Sequence, residues 1–342
     1  MNGHSLEGQV RAIREWAAVS SLPHLRVVRV SGDSAWDYLD RLLPCEVYLR
    51  EGQLRPTLLL RSDDTIFADV LVGADELDFW LVVDGPTEED LLAYLDAARL
   101  PGESVSFASQ ARSHAVLTVD GPYAWKVLEG VAERGIGGMP YLSLAHLDDG
   151  MLCGRAGKTG EYGYFLHVPL DRVEATRAKL GDLVQAGEAA LAHCALESWF
   201  FDIHAAGVAD LTPLELQLQW RLSRRKAHVC GMAALGTRRA AGGLRRTVGL
   251  RGPLGMAAGD PLVIAGETVG TVLQSAPWLG ASGGSIGMGL LPGPIAHPGL
   301  DVLAVPAGPV RTVSPPFLVN RSLLVKPSRR PPDPASLPDP YA

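Results

Sequence analysis

Cysteine is scarce in this chain: Cys45, Cys153, Cys194 and Cys230 are scattered over 342 residues and form no CxxC pair. That argues against a disulfide framework or a cysteine zinc site, and predicts reduced thiols in a cytoplasmic protein. Long apolar runs are missing as well. None approaches the ~18 residues that span a bilayer, and the opening MNGHSLEGQVRAIREW has no apolar signal core. Neither a membrane nor a secretory route is therefore expected. Positive charge is not in excess: 31 Lys and Arg stand against 38 Asp and Glu, which argues against nucleic acid as a general partner. Nine histidines include no HxxxH or HExxH, so the sequence supports no metal site.

What is present is a chain with 47% hydrophobic and 20% charged residues, enough to bury a real core in two or three domains. Val27–Val30, Leu58–Leu60, Ile66–Val72 and Phe79–Val83 read as strands, with one helix over Ala35–Leu42 and another from a Thr87 cap to Ala98. The plan then recurs. VSGDSAWDYL (30–39) and VDGPYAWKVL (119–128) share Val, Gly, Ala, Trp and Leu at equal offsets. Residues 25–100 and 113–190 are thus expected to be two equivalent αβ units. A helix is expected around Ala189–Phe201, and glycine- and arginine-rich residues 236–247 read as a linker. Short strands broken by Gly and Pro over 248–326 predict a small β-barrel or sandwich. The proline-rich end, 327–342, is expected to be disordered.

Several patterns invite a chemical reading. GKTGEYGYFLHVP (157–169) sets three glycines and Glu161 just before an alternating strand. It can be a hairpin turn, or a loop through which backbone approaches a ligand. GASGG (280–284) matches a nucleophile elbow in form, but the residues after it read as a strand and not the required helix. Arg221, Arg224, Arg225 and Lys226 form a basic run, either a solvated face or a dock for an anionic ligand tail.

The ordered series of features resembles the glycine-cleavage T-protein (aminomethyltransferase) superfamily. It comprises VSGDSAWDYLDRLL, FWLVVDGPTEEDLLAYL, LTVDGPYAWKVL, RAGKTGEYGYF (155–165), LTPLEL (211–216), HVCGMAAL (228–235), GETVGTV and SPPFLVN. The resemblance runs from about residue 10 to 326. It implies an α+β fold: a duplicated αβ core (1–240) around a central channel, plus a C-terminal β-barrel domain (248–326). It also implies tetrahydrofolate in the channel and one-carbon transfer to a small-molecule acceptor, by a monomer or homodimer. The glycines of 157–163 would then let that loop approach a pterin-like ligand.

Departures from the family pattern fall in the pocket. Lys158 stands where the family has Tyr, and Phe165 where it has a pterin-binding Glu; a carboxylate reads a pterin edge by paired hydrogen bonds, which phenylalanine cannot do. In ALESWFFDIHAAG (195–207), Leu196 and Phe200 replace two family arginines. Asp84, Lys158, Glu161, Phe165, Leu196 and Phe200 are the ligand-binding candidates. The catalytic carboxylate is expected at the start of a helix, where Asp90 falls after one deletion; there it would stabilise developing positive charge or move a proton. The alternatives are an enzyme of this fold acting without folate, or a noncatalytic folate-binding or assembly protein.

Overall fold

The computed structural model describes residues 4–132, 135–205, 207–328 and 330–342. The chain opens with α1 (Leu6–Glu15) and β1 (Ala18–Ser21). A first unit follows: β2 (Arg26–Ser31), α2 (Ala35–Leu42), β3 (Leu54–Leu60), β4 (Ile66–Asp75), β5 (Asp78–Asp84), α3 (Glu88–Ala97) and β6 (Ser106–Ser109). The second unit runs β7 (His114–Asp120), α4 (Ala124–Leu128), β8 (Ser143–His146), β9 (Leu152–Arg155), β10 (Gly163–Pro169), α5 (Val173–Leu180) and β11 (Val184–Gln185). Among the described residues the sheets read β3-β4-β5-β2-β6 and β8-β9-β10-β7-β1-β11. Four strands of each sheet, β3-β4-β5-β2 and β8-β9-β10-β7, therefore pair in the same order, and every one of those pairings is antiparallel. The fold is α+β with a duplicated core.

The repeated sequence has a matching physical cause in each unit. Gly32 (φ +111°) and Gly121 (φ +147°) occupy the same turn between strand and helix. A Cβ on Gly32 would lie 2.3 Å from the Ser104 carbonyl oxygen, and one on Gly121 2.4 Å from that of Trp16. Those same carbonyls accept from Ser34 N and Tyr123 N, each two residues after its glycine. Each glycine therefore admits the backbone leading into the strand that flanks its unit, β6 in one case and β1 in the other.

The helices cover the outer faces and the sheets face each other. Tyr38, Leu39, Leu91 and Leu95 bury the first sheet's outer side; Trp125, Leu128 and Leu180 bury the second's. Between the sheets lie Val27, Leu54, Trp80 and Val82 from one unit and Val116, Leu144, Leu152 and Phe165 from the other. The edge strands β3 and β8 meet through Leu54 N to Leu142 O (2.8 Å) and Leu144 N to Gly52 O (2.7 Å).

Helix α6 (Glu188–Glu197) and α7 (Met232–Ala241) lie in the segment leading to the barrel. Residues 236–247, expected as a linker, instead end α7 and begin a barrel strand. Its Ala and Arg residues favour helix, and the break comes only at Gly242 and Gly243, both at positive φ. Strands Arg245–Gly252, Pro261–Ile264, Glu267–Pro277, Ser285–Pro292, Leu303–Val305 and Gly308–Val313 close into a barrel.

The proline-rich end, expected from composition to be disordered, lies against the body. Tyr341 is buried beside Val10 and Ile13 and meets Trp278 edge to face at 5.2 Å. Tyr123 donates to Pro332 O (2.6 Å), and Arg321 Nη2 to Pro338 O (2.8 Å). Proline's preset φ lowers the entropy lost when such a segment is laid down, and Tyr341 supplies the anchor. No helix among the described residues is long and apolar enough to cross a membrane.

Candidate functional site

A cavity of about 1040 Å³ opens between the two sheets, the segment after α6 and the barrel. Its polar wall starts from an unusual register: Asp69 on β4 lies directly opposite Asp84 on β5. Two like charges in that position repel, and both carboxylates are largely buried. Lys158, from the glycine loop, resolves the conflict. Its Nζ lies 2.8 Å from Asp69 Oδ2 and 3.1 Å from Asp84 Oδ2. Arg221 Nη1 holds Asp69 Oδ1 at 2.5 Å, and His204 Nε2 lies 2.7 Å from Asp84 Oδ1.

Burial alone would raise the Asp84 carboxyl, but Lys158 and His204 outweigh it and hold it below the usual carboxylate range. Burial would likewise lower Lys158, and the two carboxylates raise it instead. The wall therefore carries fixed, alternating charge. The cavity is also lined by aromatic side chains, Phe165, Trp199, Phe200, Phe201 and Trp220.

Asp120, at the end of β7, is a carboxyl of different character. Burial raises it to about 6, against the opposing pull of Thr118, Thr159 and Arg14. Thr159 Oγ1 donates to its Oδ1 at 3.1 Å. A Cβ on Gly163 would fall 2.7 Å from the same oxygen, and one on Gly157 would fall 2.9 Å from it. These two glycines are required because the hairpin closes on itself and on Asp120.

A pH dependence follows. With a folded value above the unfolded one, Asp120 costs nothing below the unfolded value. Its cost grows as pH rises toward 6 and reaches about 3 kcal/mol above that. Asp120→Asn keeps an acceptor for Thr159 and removes the titration. Relative to the parent, the variant should gain about 1–2 kcal/mol more stability at pH 8 than at pH 5, read from urea melts. An equal difference at both pH values would refute the assignment.

The structure sorts the residues singled out from sequence. Asp84, Lys158, Phe165 and Phe200 line the cavity. Phe165 also lays its ring over Gly154, where a Cβ would sit 2.1 Å away. Leu196 is fully buried with Leu58, Leu60 and Leu290 in the contact between the first unit and the barrel, so its side chain contributes packing. Glu161 is taken up by the C-terminal segment, accepting from Arg321 N (3.0 Å) and Ser322 N (2.7 Å). Asp90 is not brought to the cavity. It is exposed in the first turn of α3, where Thr87 Oγ1 donates to it at 2.6 Å and accepts from its backbone N–H at 3.1 Å. Its charge sits at the positive end of that helix. The basic run is divided: Arg221 and Lys226 are buried, Lys226 binding Asp40 Oδ1 at 2.6 Å, whereas Arg224 and Arg225 face solvent.

Sequence reading missed Asp69, Asp120, His24, His204 and Arg14. Arg14 is wholly buried and reaches Glu197 Oε2 (2.9 Å), Thr159 O (2.6 Å), Cys194 O (2.9 Å) and Asn320 Oδ1 (3.1 Å). It joins α1, the glycine loop, α6 and the C-terminal segment. Its signal was present: position 14 follows Val10 by four residues, on the apolar face of α1. Asp69 was likewise marked as a charge inside an apolar strand. His24 and His204 sit in loops and carried no local pattern.

Comparison with known proteins places this geometry. Residues 3–226 match the family model of the GCVT N-terminal domain. The aminomethyltransferase of Desulfitobacterium hafniense is 25% identical over 310 residues, covering 86% of this chain and 84% of that one. The aminomethyltransferase of Halothermothrix orenii is 27% identical over 310 residues, covering 86% and 85%. The glycine cleavage system aminomethyltransferase T of Bartonella henselae superposes with a TM-score of 0.81 at 24% identity, over 92% of this chain and 89% of that one, a likeness of fold. With the duplicated sheets, the barrel and the cavity between them, these matches make the chain a member of the glycine-cleavage T-protein superfamily.

Proposed function

We propose that the protein is a cytoplasmic enzyme that transfers a one-carbon unit, methyl or methylene, between tetrahydrofolate and a small-molecule acceptor. The observation that carries this reading is Asp84: an ionised carboxylate, fixed by Lys158 and His204, facing a cavity of about 1040 Å³. Such a volume suits a folate-sized ligand. Tetrahydrofolate supplies the nitrogen that carries the one-carbon unit. Positive charge develops as that unit leaves or joins nitrogen, and a preorganised anion in a partly water-excluded site stabilises it.

The residues fit the carrier in a rearranged way. Phe165, Trp199 and Phe200 offer faces against which a flat ring stacks. Phe165 cannot accept from a pterin's amino and ring N–H groups. Asp120 can: it lies on β7, two residues from Thr118, the partner of Phe165 across the strand pair. Burial holds its value at about 6, so close to neutral pH it is ionised and able to accept. The four family positions at the cavity, Asp84, Lys158, Phe165 and Phe200, touch the ligand in this reading, while Glu161 and Leu196 support the walls.

Titration calorimetry with tetrahydrofolate tests the reading. Binding is expected, with Asp120→Asn weakening it by about tenfold or more, the cost of roughly 1–3 kcal/mol for a lost charged hydrogen bond. No heat with tetrahydrofolate would transfer the cavity to a different ligand class, in keeping with the missing pterin-edge Glu.

A further inference from the structure

The loop before β2 and the loop after α6 bring two histidines to one carboxylate. His24 Nε2 lies 3.8 Å from Asp84 Oδ1, and His204 Nε2 lies 2.7 Å from the same oxygen. The three ligand atoms fall within 4.8 Å of one another. A transition metal bound at about 2.0–2.2 Å by imidazole nitrogen and carboxylate oxygen sets its ligand atoms about 3–4 Å apart. The cluster is therefore close to the spacing a metal needs, and His204, 52% exposed on its loop, has room to adjust.

A further contact bears on the role of His24. Glu188 Oε1 lies 2.9 Å from His24 Nδ1. A carboxylate there accepts a hydrogen bond from Nδ1–H, which keeps the proton on Nδ1 and leaves the Nε2 lone pair pointing toward Asp84. This is how metal-ligating histidines are commonly oriented. An ordinary surface histidine pair does not require such a partner. Lys158 does not take the metal's place: it sits on Oδ2, the other oxygen, and is shared with Asp69.

We propose that His24, Asp84 and His204 form a site for a first-row divalent transition ion, with Glu188 as the positioning residue for His24. Two imidazoles and one carboxylate suit Zn²⁺ or Fe²⁺ and leave coordination positions open. Those positions face the cavity, which all three residues line, so an oxygen, nitrogen or sulfur atom of a small molecule can complete the coordination there. The proposal is independent of folate. Its sequence signature is invisible because the three donors are separated by 60 and 120 residues.

The test uses the full chain without folate, titrated with Zn²⁺ and, separately, with Co²⁺ for its visible ligand-field bands. One ion per chain is expected. His24→Ala and His204→Ala should each weaken Zn²⁺ binding by about 100-fold or more, and Glu188→Gln by about 10–100-fold. The Co²⁺ bands should be lost in the histidine variants. The melting temperature of Glu188→Gln in metal-free buffer should stay at the parent value, because Glu188 is exposed. Absence of binding to the parent protein, binding that survives both histidine changes, or an affinity indifferent to Glu188→Gln would each overturn the proposal.

Discussion

Asp84→Asn is expected to lower turnover by about 10²–10³, the usual effect of removing one well-placed electrostatic stabiliser. The substitution keeps the shape and removes the charge. Because it also releases Lys158, whose Nζ remains on Asp69 Oδ2 at 2.8 Å, the cation is not left unpaired and the fold should hold. Assays run with a chelator keep any bound metal from contributing. The informative control is Asp90→Asn. Sequence register favours Asp90 as the catalytic carboxylate, but it lies exposed at the start of α3. Turnover should be unchanged there, with no more than about 0.5 kcal/mol of stability lost. A large fall for Asp90→Asn beside full activity for Asp84→Asn would reverse the assignment.

Arg14→Met should be the most destabilising single change in the core, at about 3–5 kcal/mol. The magnitude comes from what is left behind. Glu197 and Glu161 both have side chains with 0% exposure, and each loses its guanidinium partner. Four further acceptors lose a donor: the carbonyls of Thr159 and Cys194, Asn320 Oδ1 and Ser198 Oγ. An unpaired buried charge costs far more than the pair contributes, so Arg14→Met with Glu197→Gln should recover part of the loss. Arg11→Met, one turn away on the exposed side of α1, should fall within about 0.5 kcal/mol of the parent. Urea melts of the four proteins decide it. A loss below about 1 kcal/mol for Arg14→Met would mean that the network is not holding the loop, α1 and α6 together.

The duplicated architecture was legible because it is local. A strand, a glycine turn and a helix within ten residues leave the same trace twice, and the Gly32 and Gly121 turns show why that trace persists. The barrel strands were legible for a similar reason, apart from Arg245–Gly252, which hid in a stretch rich in Gly and Arg. The tail was misjudged because composition reports what a segment can do alone, and Tyr341 is ordered by Trp278 and α1, far away in the chain.

Family membership, the α+β plan and the choice of Asp84, Lys158, Phe165 and Phe200 as candidates all follow from residue order, since each belongs to a short motif with its own spacing. The chemistry of the cavity does not. Asp69 and Asp84 become partners through strand register, Lys158 joins them from 74 residues beyond Asp84, and His204 arrives from a loop with no pattern at all. Asp90 and Asp84 stand six positions apart, equally acidic in sequence. One points to solvent at a helix start and the other into the cavity at a strand end, because burial and charge pairing are properties of the packed molecule and not of the neighbouring residues.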